Sequence, residues 1–286
     1  MFEVVGAGAS RTRLPLAVRR GLARFVGRHQ EISQMQRALD EACAGHGQVI
    51  GVMGEPGMGK SRLFHEFKAT AQTQCAVFEA YSSAHSKAAP YLPLIELLKN
   101  YFQIQAHDDE RTRREKIIGK LLTLDRTLEE VLPYFFALLN VSDPDSAIQP
   151  VEPQARRKRT FEALKRATLR ESLNRPLLLI FEDLHWIDSE TQGVLDSLVE
   201  AIGSARILLI ANYRPEYRHD WSAKSYYSQV RLAPLGRSEA EEFLSVLLGD
   251  LDSDQPPQRW FALRQLILEK TEGTPFFIEQ SGTGTL

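Results

Sequence analysis

Cysteine is scarce in this sequence, and so is net charge. The 286 residues include two cysteines, Cys43 and Cys75, which are too few for a disulfide framework and lack the paired spacing of a zinc site. Such a sparse set of thiols is typical of the reducing cytoplasm, and we expect a cytoplasmic location. The formal net charge is −2, so no strong overall field favours nucleic acid or an anionic membrane as a partner.

Long apolar runs are also missing. The apolar segment at 176–181, PLLLIF, is far shorter than the stretch needed to cross a bilayer. The first residues, MFEVVGAGASR, lack the charged-then-apolar layout of a signal peptide. We therefore expect neither a membrane span nor a membrane partner.

Short apolar segments alternate with helical patterns along the chain. The composition, 43% hydrophobic and 25% charged, is that of a globular protein. Strands are predicted at QVIGVM (48–53), CAVFEA (75–80), PLLLIFED (176–183) and RILLIAN (206–212). None of them alternates apolar with polar residues, which predicts an α/β fold with a central, mostly parallel sheet covered by helices on both faces.

Helical spacing separates these strands. Residues 91–175 are predicted to form a largely helical insertion before the strand at 176–183, with an exposed, proline-containing loop at 141–153. Two later helices are predicted to start at capping boxes, Ser189 with Gln192 and Ser238 with Glu241. The other predicted helices cover 31–42, the segment from Ser61 onward, 156–173 and roughly 258–270.

A glycine-rich loop is the most specific motif. Residues 54–61 match the phosphate-loop pattern G-x-x-x-x-G-K-[ST] with a buried strand before and a helix after. They are Gly54, Glu55, Pro56, Gly57, Met58, Gly59, Lys60 and Ser61. Glycines let main-chain amides approach a phosphate closely, and the helix N-terminus adds positive potential. The pattern predicts that Lys60 contacts the β and γ phosphates and that the Ser61 hydroxyl ligates Mg²⁺.

Two acidic residues end the apolar strand at 176–183. Glu182 and Asp183 are expected at the carboxyl edge of the sheet, where ligands bind in open α/β folds. One carboxylate can hold the metal and the other can orient or deprotonate the attacking water. The order of the two residues leaves both assignments open. Nearby, we interpret Trp186 as a packing residue and His185 as a hydrogen-bonded orienting residue rather than a base.

Five segments together resemble the signal-transduction ATPases with numerous domains (STAND), a branch related to the AAA+ and origin-recognition ATPases. The segments are FVGR (25–28), GEPGMGKS (54–61), LIFEDLHWID (179–188), ANYRPE (211–216) and EGTPFFIE (272–279). The likeness is greatest to the ATPase module that follows the catalytic domain in bacterial class III adenylate or guanylate cyclase-like regulators. It covers about residues 10–280 and implies a P-loop ATPase that uses ATP and Mg²⁺.

The resemblance also implies roles for residues outside the phosphate loop. Val26, Gly27 and Arg28 would line the adenine and ribose side, and Arg214 would sense the γ-phosphate. Gly273 and Pro275 would match an element near the adenine, and Arg62 would belong to the nucleotide-binding set. Bland alternatives stay open, because Arg28 could pair with a surface acid, Arg214 could be an ordinary loop arginine, and Pro275 could simply stop a helix.

The same resemblance divides the chain. Residues 1–24 are expected to be a linker or the tail of an upstream domain, 25–235 the P-loop core, and 236–280 the start of a C-terminal helical subdomain. The last residues, SGTGTL at 281–286, match no part of the family pattern and are predicted to be an atypical tail. No cyclase activity is expected from these residues.

Three functions are compatible with the sequence. The favoured one is an ATP-binding, slowly hydrolysing switch in a longer signalling protein, with a cyclase-like domain and sensor repeats as neighbours and nucleotide-dependent self-association as a further possibility. A nucleotide-bound scaffold without turnover and the ATPase part of a transcription regulator are the alternatives. Nucleic acid is not expected as a partner, since the basic runs at 111–116 and 156–159 are most simply solvated helix faces.

Overall fold

A five-stranded parallel sheet forms the centre of the protein. The structure is a computed structural model, and it describes residues 23–84, 87, 89–142, 152–248 and 257–283. Residues 1–22 and 143–151, which hold most of the predicted linker and exposed loop, lie outside this range. The strands are β1 (Gln48–Met53), β2 (Ala76–Tyr81), β3 (Leu177–Glu182), β4 (Ile207–Tyr213) and β5 (Tyr227–Arg231).

The sheet order determines which strand ends meet. The strands run β2-β3-β4-β1-β5, and every neighbouring pair is parallel. The strand before the phosphate loop, β1, therefore does not touch the strand that ends in the acidic pair, β3. Strand β4 lies between them, so its carboxyl end borders both. Four of the five strands were predicted; β5, a short edge strand, was not.

Alternate side chains of the central strands enter two different cores. In β3, Leu177, Leu179 and Phe181 join one apolar cluster. Leu178 and Ile180 join the other, on the opposite face of the sheet. Because both faces are buried, every residue of β3 and β4 is buried. This arrangement confirms the predicted α/β fold and explains the absence of polar alternation in these strands.

Helices cover both faces of the sheet. Those before β3 are α1 (His29–Cys43), α2 (Lys60–Ala71), α3 (Leu92–Tyr101), α4 (Glu110–Leu124), α5 (Leu132–Leu139) and α6 (Pro153–Asn174). Those after it are α7 (Ser189–Ile202), α8 (Arg237–Leu248), α9 (Pro257–Thr271) and α10 (Pro275–Thr283). Helices α3 to α6 form the insertion between β2 and β3, and their apolar faces complete the first core.

Both predicted capping boxes were wrong in detail. The cap of α7 is Asp188, whose carboxylate accepts the amides of Glu190 and Thr191. Helix α8 begins at Arg237, and its reciprocal cap joins the amide of Gly236 to the carboxylate of Glu239 at 3.1 Å. The two helix starts were located to within two residues, but short polar side chains compete for the same amides, and the backbone decides which one is in reach.

The three C-terminal helices pack on each other around a small third core. Leu244, Leu248, Ile267 and Ile278 are among its buried residues. Helix α10 was not predicted, and it extends through Thr283, into the segment expected to be an atypical tail. Among the described residues, no helix is long and apolar enough to cross a membrane.

Gly51, in the middle of β1, provides a test of packing behind the site. A Cβ built there would lie 2.5 Å from the Tyr227 hydroxyl and also against that of Tyr213. The two hydroxyls bond each other at 2.8 Å, so neither can move freely. We expect Gly51→Ala to destabilise the protein by about 1–3 kcal/mol, the usual cost of overpacking, as measured by chemical denaturation.

Gly119 is the matched control for this substitution. It lies inside α4 and a Cβ there would meet no atom within 4 Å. Gly119→Ala should leave stability unchanged or raise it by up to about 1 kcal/mol, since alanine is the better helix former. Equal stability of the two variants would contradict the packing described for Gly51.

Candidate functional site

The phosphate loop joins β1 to α2 at the carboxyl edge of the sheet. Gly57 and Gly59 take positive φ values of 85° and 84°, and Gly59 caps α2. Lys60, Ser61 and Arg62 form the first turn, where amides have no acceptor within the helix. The loop therefore presents main-chain donors and the positive end of a helix dipole to the same space, which is the arrangement that binds phosphate.

Lys60 is held inside this loop. Its side chain is buried, and Nζ donates to the carbonyl oxygens of Gly54 at 2.7 Å and Glu55 at 3.0 Å. Burial lowers the pKa of Lys60, an effect that the carboxylate of Asp183 opposes and the guanidinium of Arg214 strengthens. The charges of Asp183 and Arg214, which directly follow β3 and β4, therefore both act on this ammonium group.

The Ser61 hydroxyl contacts the acidic strand end directly. It donates to Oε2 of Glu182, and Nδ2 of Asn212 donates to the same oxygen at 3.1 Å. Glu182 is 4% exposed, so its carboxylate faces these two donors rather than water. Burial raises the pKa of Glu182 to about 7, while the hydrogen bonds from Ser61 and Asn212 oppose the rise.

Asp183 differs from its neighbour in exposure and backbone geometry. Its φ is 58°, a left-handed conformation that is uncommon for a residue with a side chain. Its amide donates to Oδ1 of Asn212 at 2.8 Å, and its side chain is 37% exposed. The carboxylate of Asp183 is thus accessible, whereas that of Glu182 is buried against Ser61.

Asn212 is the site residue that the sequence analysis missed. It is fully buried at the end of β4, and its amide group bridges the Glu182 side chain and the Asp183 backbone. A signal was present, because the predicted strand RILLIAN ends in a polar residue. The role of this residue could not be inferred from the pattern, since only the sheet order shows that β4 separates the loop from the acidic pair.

Arg214 lies two residues beyond Asn212. Its NH1 is 3.9 Å from Oε1 of Glu216, and its side chain is 35% exposed. The positive charge lowers the pKa of Lys60 and of His185, in each case after the larger effect of burial. The charge of Arg214 therefore acts on the lysine of the phosphate loop, and its contact with a γ-phosphate stays a prediction.

His185 is buried beside this group of charges. Its side chain is 7% exposed, and neither ring nitrogen has a hydrogen-bond partner among the described residues. The sequence analysis interpreted His185 as a hydrogen-bonded orienting residue. Among the described residues, that hydrogen bond is not formed. Its ring is 5.3 Å from that of Trp186, whose face lies 5.0 Å from the ammonium group of Lys87.

The turn before α1 contacts the chain that follows β5. Val26 is buried, and Gly27 and Arg28 take successive positive φ values of 68° and 61°. The guanidinium of Arg28 donates to the carbonyl of Ala233 and pairs with Glu31 at 3.2 Å. Arg28 therefore pairs with an acidic residue, as the alternative interpretation expected. It also contacts the chain after β5.

The C-terminal segment reaches the phosphate loop. The amide of Phe276 donates to the carbonyl of Gly57 at 3.2 Å, and the amide of Leu235 donates to that of Gly273 at 2.8 Å. Gly273 has φ of 72° and lies against the Leu235 carbonyl, so a side chain would not fit there. Pro275 begins α10, which means that the first turn of this helix packs on the loop.

The side chain of Arg62 contacts its own helix and the segment before Val26. Its guanidinium donates to the carbonyl of Ala23 at 2.9 Å, pairs with Glu66 at 2.7 Å and lies 5.9 Å from the centre of the Phe25 ring. Within these contacts the side chain joins α2 to the segment before Val26. The main-chain amide of Arg62 lies in the first turn of α2, where amides have no acceptor within the helix.

The donor set at the loop fits a magnesium–nucleotide complex. The Ser61 hydroxyl and the Glu182 carboxylate supply two adjoining oxygen donors of the kind that Mg²⁺ prefers. Among the described residues, no group of three or more His, Cys, Asp or Glu side chains could hold a metal by itself. This composition suits Mg²⁺, which is usually bound through one or two protein oxygens together with substrate phosphates.

A family comparison covers most of this fold. The model of a family described as "AAA ATPase domain" matches residues 24–210, which is well over half of the chain and includes the loop, β3 and most of β4. An uncharacterized protein of Rhizobium meliloti (strain 1021) is 24% identical over 274 residues. That match covers 90% of this chain but 24% of the relative, so the chain spans about a quarter of the length of the relative.

Solved structures with similar folds are distant in sequence. Drosophila ORC bound to DNA has a TM-score of 0.52 at 12% identity, over 94% of this chain and 61% of that one. A STAND protein with a tetratricopeptide repeat sensor from Pyrococcus horikoshii has a TM-score of 0.43 at 14% identity, over 88% of this chain and 28% of that one. At these identities the likeness to ORC shows the fold alone.

Proposed function

Because the chain belongs to the AAA ATPase domain family, we propose that it is an ATP-binding module that hydrolyses ATP slowly and acts as a regulatory switch. One observation carries the proposal: Ser61 in the phosphate loop contacts Glu182 at the end of β3. A triphosphate bound by the loop amides would lie beside both acidic residues, within reach of Lys60 and Arg214.

The two carboxylates have different proposed roles. Glu182, buried against Ser61, would hold Mg²⁺ together with that hydroxyl. Mg²⁺, when bound, neutralises charge on the β and γ phosphates. Asp183, which is more exposed, would orient the attacking water and take its proton. Asn212 would hold the Glu182 side chain and the Asp183 backbone in fixed relative positions through its two hydrogen bonds. This order is the reverse of the commoner Asp-then-Glu pair.

The switch would operate through the C-terminal helices. The first turn of α10 contacts the loop through Phe276 and Gly57, so a change at the loop reaches the third core directly. A ligand shifts such an equilibrium only by its different affinity for the two states. Moving the population from 1:99 to 99:1 takes about 5.5 kcal/mol, to which contacts of Lys60 and Arg214 with the γ-phosphate would contribute.

Single-turnover hydrolysis tests the proposed turnover. We expect Asp183→Asn to lower the rate constant by about 10²–10⁴-fold, the usual contribution of a positioned acid–base group, with ATP affinity within threefold of wild type. Asp40→Asn is the control, since Asp40 is exposed on α1 and bonds only Gln36 among the described side chains. Equal, measurable rates would show that Asp183 is not the catalytic group, and a wild-type rate at background would instead favour the nucleotide-bound scaffold.

The wider setting is proposed from the sequence resemblance. We place the module in a longer signalling protein, next to a cyclase-like domain and sensor repeats, with a cytoplasmic location and nucleotide-dependent self-association. The boundaries expected for it are 25–235 for the core and 236–280 for the start of the helical subdomain. Size-exclusion chromatography with ATP and with ADP would test self-association, and identical profiles would count against it.

A further inference from the structure

His185 is the one buried side chain at the site whose polar atoms have no described use. Both ring nitrogens are shielded from solvent and lack a hydrogen-bond partner among the described residues. A buried polar group left without a partner has a cost comparable to losing a hydrogen bond outright. An apolar side chain of similar shape would avoid that cost, so the imidazole is expected to bond something at the site when nucleotide is present.

The carboxylate of Asp183 lies close to the His185 ring. The distance from Nδ1 of His185 to Oδ1 of Asp183 is 3.9 Å, about 1 Å longer than a hydrogen bond. The backbone between them is fixed, because the amide of Trp186 donates to the carbonyl of Asp183 at 2.8 Å and closes the turn. Side-chain rotation is therefore the movement that would bring the two groups together.

The carboxylate of Asp183 needs such a partner. The backbone of Asp183 is held through Asn212, but its side chain is 37% exposed and no hydrogen bond to its oxygens is found among the described residues. A carboxylate that rotates freely is a poor orienting group for water, since geometry is the largest part of its contribution. The side chain of His185 is 7% exposed, so its ring nitrogens are shielded from water.

We propose that His185 is a positioning residue for Asp183, whose Nδ1–H group donates to Oδ1 of Asp183 and directs the carboxylate toward the water that attacks the γ-phosphate. This role rests on the proposed hydrolysis. The imidazole stays neutral throughout, with its proton on Nδ1. The proton released as the water oxygen bonds phosphorus goes to Asp183, and the electron pair of the broken bond leaves with ADP.

Three substitutions of His185 separate this role from simple packing. His185→Phe keeps a ring but no donor, and we expect kcat to fall about 10–100-fold with the Kd for ATP within twofold. His185→Asn keeps an amide donor near the position of Nδ1 and should recover kcat to within about threefold of wild type. His185→Gln moves its donor toward the position of Nε2 and should stay as slow as His185→Phe.

Any of the following kinetic results would overturn the inference. If His185→Phe turns over like wild type, or if Gln restores the rate as well as Asn does, His185 does not position Asp183 through Nδ1. If kcat, the affinity for ATP and the thermal midpoint all fall together, the residue only packs. If wild type shows no turnover above a Lys60→Ala background, the proposed hydrolysis fails, and this role fails with it.

A spectroscopic measurement tests the hydrogen bond without turnover. The chain has seven histidines, and the signals of His185 can be assigned by their absence in His185→Asn. With ¹⁵N-labelled histidine and a non-hydrolysable ATP analogue, we expect the Nδ1-protonated tautomer. Asp183→Ala should return the ring toward the Nε2-protonated form. An Nε2-protonated ring in the analogue-bound wild type would overturn the proposal.

Discussion

Lys60→Ala is expected to lower the affinity for ATP by at least about 100-fold. The ammonium group is the cation that the loop itself supplies, and it is held by the Gly54 and Glu55 carbonyls within the phosphate-binding turn. Charge-assisted hydrogen bonds to phosphate are each worth about 1.5–3 kcal/mol, and removal of two of them accounts for the expected loss. Titration with a fluorescent ATP analogue measures it.

Lys68→Ala is the matched control for Lys60→Ala. Lys68 lies two turns later on the same helix and pairs with Glu79 at 2.9 Å, away from the loop. We expect ATP affinity within twofold of wild type for this variant. An affinity for Lys60→Ala within threefold of wild type would show that the loop does not bind triphosphate through this lysine.

Glu182→Gln is expected to change stability and activity in opposite directions. Glutamine preserves an oxygen that accepts from Ser61 and Asn212 but carries no charge. Hydrolysis should fall by more than about 100-fold, since the proposed metal ligand is neutralised. The nucleotide-free protein should become more stable at neutral and higher pH, because an ionised carboxylate no longer has to be buried.

The direction of the expected stability change follows from the pKa of Glu182. Burial raises the pKa of Glu182 from its ordinary 4.5 to about 7, so between these values the folded protein binds more protons than the unfolded chain. The free energy of unfolding therefore falls as pH rises through this window. Glutamine removes that loss. The free energy of unfolding of the variant should therefore exceed that of wild type by up to about 3 kcal/mol above pH 7 and should equal it below pH 4.5.

Urea denaturation at pH 5 and pH 8 measures the difference. Glu115→Gln is the control, because Glu115 is exposed on α4 and pairs only with Arg111 among the described residues. Its stability should follow wild type at both values. The same stability difference between wild type and Glu182→Gln at pH 5 and pH 8 would contradict a buried, ionising carboxylate at this position.

Comparison of the strands shows how far sequence patterns extend. The β1 prediction matched the observed bounds, and β3 and β4 were predicted to within a residue or two, because fully buried strands of a parallel sheet are apolar on both faces. Strand β5 was missed, since YSQVR has one buried residue and lies at an edge. An edge strand that buries few side chains shows little hydrophobic patterning in its sequence.

The helix ends show a second limit. The sequence indicated that polar residues at 189–192 and 238–241 begin helices, but Asp188 and Glu239, rather than Ser189 and Glu241, accept the first amides. Several short polar side chains near a helix start can make such a bond. Local composition alone does not predict which carboxylate the turn brings within hydrogen-bond distance of the amides.

What the sequence determined by itself was the phosphate loop and the class of fold. Glycine at 57 and 59 admits positive φ, Lys60 and Ser61 follow at the required spacing, and apolar strands flank the motif; these are local demands of the backbone that residue types satisfy directly. The tertiary structure decided the neighbours: that β4 lies between β1 and β3, so Asn212 joins the acidic pair, and that Glu182 rather than Asp183 meets Ser61. Strand order depends on how both faces of the sheet are buried by helices distant in sequence, and no short segment of the chain encodes that.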